Sequence, residues 1–482
     1  MARRRSDSGQ TMVFVALAMP VLLGFLGLGI DVGYLRYTKR QIQMAADAAA
    51  IAGAIDLSKA DVVTAGQSAS AENGFKNGAA GVTVNIYTPP NDGPHAGVAN
   101  YVEAVVTDTQ VPVFFSKIFG AKPVTLSGRA VAQGNTNCIY GLDSSAGNST
   151  LNLQLLDLVN SPCGVVSNAN INAGIATGLC ATSIELVGSV TGIDFFGLCQ
   201  NGQNTDPSPG TKLLKPVSDP LASLPAPTPS AACSGSTAAS TTYTGNGSTI
   251  NIPAGNYCGG ISIVWGTGRP IINFTGGTYT IGGSSKTISP GLQIAEGSQV
   301  TFNGGTYTLN GGMGDVANSN NFDTINFNAS GSGNPALFIL NGGGLTLLAT
   351  LATGSGVTFY NTGTSATYGP VNVIFALGSL ISAPTSGTYA GIHYFQDRNN
   401  PQTATFAANL NFGSGNNPAV EGAYYFPDAT VSFDFDFGAN APYSILVANQ
   451  VKWLVSFTFN ADYSSLPNNA SPLPVGNAVL AE

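Results

Sequence analysis

Three segments of the chain share one pattern: NIPAGNYCGGI (251–261), NFTGGTYTIGG (273–283) and TFNGGTYTLNG (301–311). When they are aligned, Tyr257, Tyr279 and Tyr307 occupy the same position, at intervals of 22 and 28 residues. Repeats of about 20–30 residues built on short strands are typical of solenoids, whose stacked coils bury a common apolar column. The sequence therefore predicts a parallel β-helix, which we expect to be right-handed. A β-sandwich is the alternative, because it also uses many short strands.

The same sequence pattern extends over residues 135–482. It consists of short apolar and Thr-rich strands separated by Gly, Asn and Ser. In TYTIG and TYTLN the side chains alternate between an inward and an outward row. We expect Tyr279 and Tyr307 to stack between coils as structural residues and not as a carbohydrate platform. The unequal intervals require loops inserted between coils.

One stretch of this body does not suit a regular coil. Between 206 and 230 the chain contains seven prolines, which cannot donate to a strand ladder. We expect a loop excursion or a belt across the solenoid.

The six cysteines all lie in the body, and their spacing does not fit a zinc site of the C-x-x-C type. An even number favours disulfides formed in an oxidising compartment. Cys233 and Cys258 flank the return of the chain into the coils, which suggests one bridge. The other four can pair in three ways, and one candidate set is Cys138–Cys163, Cys180–Cys199 and Cys233–Cys258.

The amino-acid composition disfavours several classes of protein. Charged residues are 9% of the chain and hydrophobic residues 43%, which argues against general disorder. The net charge of −8 with only 17 Lys and Arg disfavours nucleic-acid binding. Residues 1–40 carry a net +4 and the rest of the chain −12, which suggests membrane attachment followed by an exported body.

Thr11 to Ile30 (TMVFVALAMPVLLGFLGLGI) is 20 residues long and uncharged. A helix of this length spans about 30 Å, the thickness of the hydrocarbon core. A cleaved signal peptide is disfavoured, because charged residues follow the run instead of a small-residue cleavage site. The anchor includes Pro20 and Gly24, which membrane helices tolerate. Residues 1–10 form a basic tail.

Arginine and lysine flank the span on both sides, so their count does not fix its orientation. The cysteines decide it: we expect the N-terminus in the cytoplasm and the body outside it.

An Ala-rich helix is predicted to continue to about residue 57, with Ala45, Ala49 and Ala52 on one packing face. This face packs either against the next domain or against partner membrane proteins. Residues 58–134 read as a small α+β domain. Its predicted elements are a helix over 61–75, strands over 82–87, 101–108 and 124–132, and a short apolar helix over 111–119.

The N-terminal segment resembles the TadG-like proteins of Flp pilus-assembly (tight adherence) systems. The matching features are Gly9-Gln10, Ala18 to Pro20, Gly29-Ile30-Asp31 and the AADAAA run. The resemblance implies a bacterial, membrane-anchored component of a pilus or secretion apparatus, with other pilus-assembly proteins as partners. Asp31 is expected to be simply solvated at the helix exit.

Other segments resemble the same family more weakly. Residues 102–132 resemble the segment that closes the extracytoplasmic domain of TadE/TadG-like proteins, and CIYGLD (138–143) and AYYFPDA (423–429) resemble the C-terminal part of some relatives. Pilin-type precursors are cut after a Gly and carry Glu at the fifth mature position. A cut after Gly9 would place Phe14 there, so the resemblance implies an anchor and not a major pilin.

We searched the body for chemistry, because β-helices often cleave polysaccharides with paired carboxylates. Asp434 and Asp436 alternate on a predicted strand, where a solvated face or a weak cation site is favoured over a catalytic pair. A Ca²⁺ site would need more oxygen ligands than this pair supplies. Asp397 and Arg398 are expected to form a structural pair. His95 is expected to be a solvated loop residue, and His393 has no nucleophile motif beside it.

The sequence thus predicts a non-enzymatic structural protein of the bacterial cell envelope, without cofactor or metal. It has one transmembrane helix in the inner membrane, and its body lies in the periplasm or at the surface. The alternatives are a membrane-tethered surface adhesin and a polysaccharide-active β-helix.

Overall fold

The computed structural model describes residues 8–481 except 58–60, 99–100, 136, 146, 155, 193–196, 201–202, 205–210, 214, 232, 234–238, 283–290, 317–322, 329–334, 415, 437, 468–470 and 474–476. The chain divides into two compact units. The first comprises Met1–Asn135 and Pro474–Glu482, and the second comprises Thr136–Leu473. Residues 1–7 of the predicted basic tail lie outside the described part.

The first unit begins with one long helix. Helix α1 (Ser8–Ile55) runs through the apolar stretch and the Ala-rich stretch without a break, with Pro20 inside it. Helix α2 (Val62–Glu72) follows. Strands β1 (Val82–Tyr87), β2 (Tyr101–Val111) and β3 (Val124–Asn135) then form an antiparallel sheet.

The prediction of a helix over 111–119 is wrong for most of its length. Val111 still pairs with Val124 in the sheet, and the backbone turns into a 3₁₀ helix only over Ser116–Phe119. Because sheet pairing holds the backbone extended up to Val111, only the end of the apolar run is free to coil.

The core of the first unit lies between α1 and the sheet. Val102, Ala104 and Val106 are fully buried on the predicted inner face of β2, opposite the Ala-rich face of α1. The helix approaches the sheet closely at Gly128, where a Cβ atom would lie 2.9 Å from the carbonyl oxygen of Ile42. A larger residue at position 128 would push the helix away from the sheet.

The second unit is a β-solenoid built almost entirely from parallel strands, each pairing with a strand of the next coil. For example, Gly277–Ile281 pairs with Gly305–Asn310, which pairs with Ala336–Asn341. The parallel solenoid prediction is confirmed over the sandwich alternative; the right-handed path stays a prediction. The strands are β4 (Asn137–Gly141), β5 (Ser149–Leu153), β6 (Leu158–Asn160), β7 (Gly164–Ser167), β8 (Asn170–Ala173), β9 (Gly178–Ala181), β10 (Ile184–Leu186), β11 (Val190–Gly192), β12 (Gly197–Gln200), β13 (Gln203–Asn204), β14 (Thr211–Lys212), β15 (Thr241–Thr244), β16 (Thr249–Ile252), β17 (Gly255–Tyr257), β18 (Ile261–Val264), β19 (Ile271–Phe274), β20 (Gly277–Ile281), β21 (Leu292–Ala295), β22 (Gln299–Asn303), β23 (Gly305–Asn310), β24 (Met313–Val316), β25 (Thr324–Asn328), β26 (Ala336–Asn341), β27 (Leu345–Ser355), β28 (Val357–Thr362), β29 (Val371–Leu377), β30 (Leu380–Ser382), β31 (Ile392–Gln396), β32 (Ala404–Gly413), β33 (Ala419–Phe433), β34 (Ser444–Trp453) and β35 (Phe457–Thr458).

Aromatic rings stack in columns inside the solenoid. The rings of Tyr279 and Tyr307 are 4.7 Å apart and nearly parallel, and Tyr307 stacks in turn on Phe338 at 4.7 Å. Phe274 and Phe302 begin a second column, also at 4.7 Å. The tyrosine rings are therefore buried structural residues, as predicted.

Asparagines from successive coils form a ladder of side-chain hydrogen bonds. The amide of Asn273 donates to the side-chain oxygen of Asn251 at 2.8 Å, and Asn303 donates to Asn273 at 2.9 Å. Asn328 extends the series by donating to Asn303 at 3.0 Å. Each rung satisfies side-chain amide groups of two neighbouring coils.

The Pro-rich stretch crosses the outside of the solenoid, as a belt. Residues 206–210 and 214 lie outside the described part, but 215–231 are placed. Leu221 is buried in an apolar cluster on the outer face of the coils, Tyr389 donates to the carbonyl oxygen of Pro225 at 3.0 Å, and the N–H of Ser230 donates to the hydroxyl of Thr308.

The cysteines follow the candidate pairing as far as they are described. Cys138 is bonded to Cys163 and Cys233 to Cys258, with Cα atoms 5.6 and 5.2 Å apart. Cys180 is also in a disulfide. Its backbone pairs in register with that of Cys199, whose side chain lies outside the described part.

The end of the chain departs from the sequence-based domain assignment, which placed everything from 135 to 482 in the solenoid. Strand β36 (Asn477–Leu480) instead pairs antiparallel with β3, with Ala132 opposite Leu480. This pairing supplies hydrogen-bond partners to the outer edge of β3.

Replacement of Phe302 by Ala tests the aromatic columns. The ring is fully buried between Phe274 and Phe327, and we expect its loss to lower the free energy of unfolding of the solenoid by about 3–5 kcal/mol. Trp265 and Trp453 both lie in the solenoid, so denaturation of the full chain in detergent can be followed by tryptophan fluorescence.

The matched control is Gln299→Ala on the same strand, which removes an exposed side chain and should change stability by less than about 0.5 kcal/mol. Equal effects of the two substitutions would contradict the role of the aromatic column.

Candidate functional site: the anchor helix and its exit from the apolar span

The first half of α1 exposes an apolar surface on all sides. Every described side chain from Met12 to Leu26 is exposed, including Pro20, and Ile30 is exposed as well. Thr11 lies in the helix, but its side chain lies outside the described part. A helix that is apolar all round is stable only when lipid or protein covers it. Among the described residues this is the one helix that is long and apolar enough to cross a membrane.

A carboxylate clamp holds the helix where the apolar span ends. The carboxylate of Asp31 accepts hydrogen bonds from the backbone N–H groups of Phe114 (2.8 Å), Phe115 (3.2 Å) and Ser116 (2.7 Å), and from the hydroxyl of Ser116 (2.7 Å). The side chain is buried. The expectation that Asp31 is merely solvated is therefore wrong. It fixes the loop between β2 and β3 to the helix.

The Ala-rich face is used within the first unit. Ala45 and Ala49 are fully buried against the sheet and α2, whereas Ala52 is half-buried. Of the two alternatives for this face, the structure shows packing against the neighbouring domain. Small side chains are needed there because the helix lies close to the sheet backbone.

Asp397 and Arg398 are structural, but they do not pair with each other. Asp397 accepts hydrogen bonds from the hydroxyl of Thr362 (2.7 Å) and the backbone N–H of Asn399 (3.0 Å), which holds a turn. Arg398 donates to the carbonyl oxygens of Leu221 and Leu224 in the belt and lies 3.9 Å from a carboxylate oxygen of Asp219. Arg398 therefore pairs with Asp219, and not with Asp397 as predicted.

Asp434 and Asp436 do not form a pair on one strand face. Strand β33 ends at Phe433, so Asp434 lies in a bend, Asp436 lies beyond it, and the predicted alternation is lost. Asp434 is exposed, whereas Asp436 accepts backbone N–H groups of Gly438 (3.0 Å) and Thr458 (3.1 Å). Asp436 holds two neighbouring backbone segments together.

The two histidines are packed against aromatic rings. His95 is half-buried and stacks on Tyr101 with ring centroids 4.1 Å apart, so it is not a freely solvated loop residue. His393 is fully buried, edge-on to Phe359 and Tyr394. Burial lowers the pKa of His393 to about 3, so the ring is neutral at physiological pH.

No motif in the sequence predicts the buried carboxyl pair Asp315 and Asp323. The two carboxyl groups lie close enough to affect each other's pKa, and Asp323 is fully buried. Burial raises the pKa of both residues, and the charge of Asp315 raises the pKa of Asp323 further. Asp315 also accepts from the N–H of Leu348, and Asp323 accepts from the N–H of Ser298 at 2.9 Å. The pair joins three coils of the solenoid, and the raised pKa values favour retention of a proton there.

A groove of about 300 Å³ lies on the outer face of the solenoid. Its floor is a row of residues from successive coils, Thr278, Thr306, Leu337 and Thr358, and Tyr389 stands at its wall. Hydroxyls and one aromatic ring can contact a polar ligand such as a sugar. Among the described residues, no cluster of His, Cys, Asp or Glu is arranged to hold a metal ion.

These observations define a membrane-anchored protein with a β-solenoid body. Residues 9–56, which fall within α1 except for the last, match the family of putative Flp pilus-assembly TadE/G-like domains. The chain therefore carries a TadE/G-like Flp pilus-assembly domain at its anchor. The match does not extend to the sheet or the solenoid, so the weaker resemblances at 102–132 and in the body stay predictions. No curated protein and no solved structure matches the chain.

The clamp is tested by Asp31→Ala. The substitution removes the acceptor of three backbone N–H groups, so we expect amide hydrogen exchange at Phe114–Ser116 to accelerate in the full chain in detergent. The control is Asp108→Ala, which removes a carboxylate bonded to the backbone of Gln110 in the same hairpin. If exchange at Phe114–Ser116 is unchanged in Asp31→Ala, the clamp does not hold the loop.

The carboxyl pair predicts a pH dependence. A raised pKa in the folded state means that the folded chain retains a proton after the unfolded chain has lost it. We therefore expect the free energy of unfolding to fall as the pH rises from about 4 through neutrality, by up to about 1.4 kcal/mol per pH unit for one retained proton. Asp323→Asn removes this proton and should flatten the slope.

The control for the pair is Asp462→Asn, because Asp462 is exposed and hydrogen bonds from Ser464 lower its pKa. Above about pH 5 it is ionised in both states, so its removal should leave the slope unchanged. Identical slopes for wild type and Asp323→Asn would rule out a proton retained by the pair.

Proposed function

We propose that this chain is a non-enzymatic structural or assembly component of an Flp-type pilus or a related secretion apparatus. It is anchored by Thr11–Ile30 in the bacterial inner membrane and presents its β-solenoid on the extracytoplasmic side. The match of residues 9–56 to the TadE/G-like pilus-assembly domain carries the proposal.

The packing of α1 indicates where partner proteins would contact this helix. Because Ala45 and Ala49 are buried within the chain's own first unit, other pilus-assembly proteins must contact α1 elsewhere. The exposed apolar half of the helix, with open surface at Gly24 and Gly29, is where helix–helix contacts in the membrane would form.

The disulfides support the orientation. Cys138–Cys163 and Cys233–Cys258 lie in the solenoid, and such bonds persist in the periplasm and outside the cell but rarely in the cytoplasm. If Thr11–Ile30 crosses the membrane once, an extracytoplasmic solenoid requires that the N-terminus remain in the cytoplasm.

The surroundings of the carboxylates support a role without catalysis. Glycoside hydrolysis needs two carboxyl groups facing one substrate site. Asp397 and Asp436 hold turns and neighbouring backbone segments, and Asp323 is buried inside the wall of the solenoid.

The groove on the outer face favours a surface adhesin as the second candidate. Its row of threonine hydroxyls beside Tyr389 offers polar and aromatic contacts to a sugar. Under this alternative the solenoid binds a polysaccharide or cell-surface ligand, and the pilus-assembly domain serves only as its anchor.

The test is deletion of the gene in its own bacterium, followed by complementation. Under the proposal, deletion abolishes pili seen by electron microscopy, and the wild-type chain restores them. A chain with Asp397→Asn, Asp434→Asn and Asp436→Asn combined should restore them too. Retained pili with lost surface binding would favour the adhesin, and loss of sugar cleavage in the triple variant would favour the enzyme.

The orientation is tested separately by protease treatment of spheroplasts. We expect external protease to degrade the solenoid while the membrane is intact, and a cytoplasmic marker protein to survive as the control. A solenoid that is degraded only after lysis would place the body in the cytoplasm.

A further inference from the structure

The loop that Asp31 holds is unusually apolar on its outside. We refer to residues Phe114–Phe119 as the apolar loop. Its large apolar side chains are exposed, Ile118 by 78% and Phe119 by 85%. Phe114 and Phe115 are also exposed, by 52% and 40%. Loops that face water are normally polar, so a cluster of this kind indicates a contact surface.

The apolar loop lies beside the membrane-spanning part of α1. Phe115 packs on Gly27, where an added Cβ atom would lie 2.8 Å from the Phe115 ring. Gly27 precedes Asp31 by about one helical turn, or about 6 Å along the axis. Phe114 meets Tyr34 edge-on with ring centroids 5.1 Å apart. The exposed surface of the loop is therefore continuous with the apolar surface of the anchor.

The charges around the loop are positive. Lys117 is exposed on the loop and Lys122 is exposed just after it, and Arg36, Lys39 and Arg40 follow the span on α1. Asp31 is the only acidic residue in 12–46 and 109–128, and the loop's own N–H groups and hydroxyl bind its carboxylate. Aromatic and aliphatic side chains flanked by lysine match the chemistry of an anionic membrane interface.

We propose that the apolar loop is a second membrane contact, inserted into the lipid leaflet beside the anchor helix. Ile118 and Phe119 lie among the upper acyl-chain carbons, and Lys117 and Lys122 face anionic headgroups. Lipid is the occupant because the clamp fixes the loop against a helix whose own surface lies in lipid at that depth. The proposal requires only that Thr11–Ile30 crosses a membrane and does not depend on the pilus role.

A tryptophan placed at the tip of the loop measures its depth. The full chain carrying Phe119→Trp is reconstituted in vesicles of phosphatidylcholine and phosphatidylglycerol, and the phosphatidylcholine is then replaced by forms brominated near the headgroup or deep in the chain. We expect bromine near the headgroup to remove most of the added tryptophan's emission, and deep bromine to remove less. The wild-type chain supplies the background of Trp265 and Trp453.

Two control variants provide the references for deep quenching and for no quenching. Leu22→Trp lies in the anchor and should be quenched more by deep bromine, which verifies reconstitution. Ile55→Trp lies about 37 Å beyond Ile30 along the helix and should not be quenched above background. Ile118→Trp repeats the test if Phe119→Trp does not fold. If the loop variants show only background quenching while Leu22→Trp is quenched, the loop does not enter lipid and the proposal fails. The surface would then be free for a protein partner.

Discussion

Stacking of aromatic rings inside the solenoid sets the register of the coils, and most of the second unit depends on it. Tyr279, Tyr307 and Phe338 occupy matching positions of paired strands, with successive rings 4.7 Å apart. This distance equals the spacing of hydrogen-bonded strands. A shift of one residue between coils would turn every ring outward. Burial of the rings and hydrogen bonding of the strands therefore favour the same register.

The same register determines what the outside of the coils presents. When Tyr279 and Tyr307 point inward, Thr278, Thr280, Thr306 and Thr308 point outward, as the pleat requires. The row of Thr280 and Thr308 is covered by the belt through Ser230. The row of Thr278 and Thr306 forms the floor of the open groove. One register thus produces a closed strip and an open strip, and only the open strip can meet a ligand.

Features that depend on residues close together in the chain could be predicted from the sequence. Contacts between residues far apart in the chain could not. The alternation in TYTIG and TYTLN was enough to place Tyr279 and Tyr307 inside, because pleating is a local property. The pairing of Asp434 with Asp436 failed because the strand ends one residue earlier, and periodicity does not locate strand ends. Arg398 binds a carbonyl 177 residues away, and Asp31 binds an N–H 85 residues away. The sequence contains no repeat that would connect such positions.

The position of Asp31 explains why an acidic residue can follow an uncharged membrane span. A carboxylate near hydrocarbon is costly unless hydrogen bonds replace its water, and here three N–H groups and a hydroxyl do so. Those N–H groups belong to a turn that would otherwise leave them without partners. The carboxylate and the N–H groups are therefore hydrogen-bond partners of each other, and neither needs water. The anchor and the sheet domain that follows are therefore fixed to each other at the point where the helix leaves the apolar span, and not joined by the chain alone.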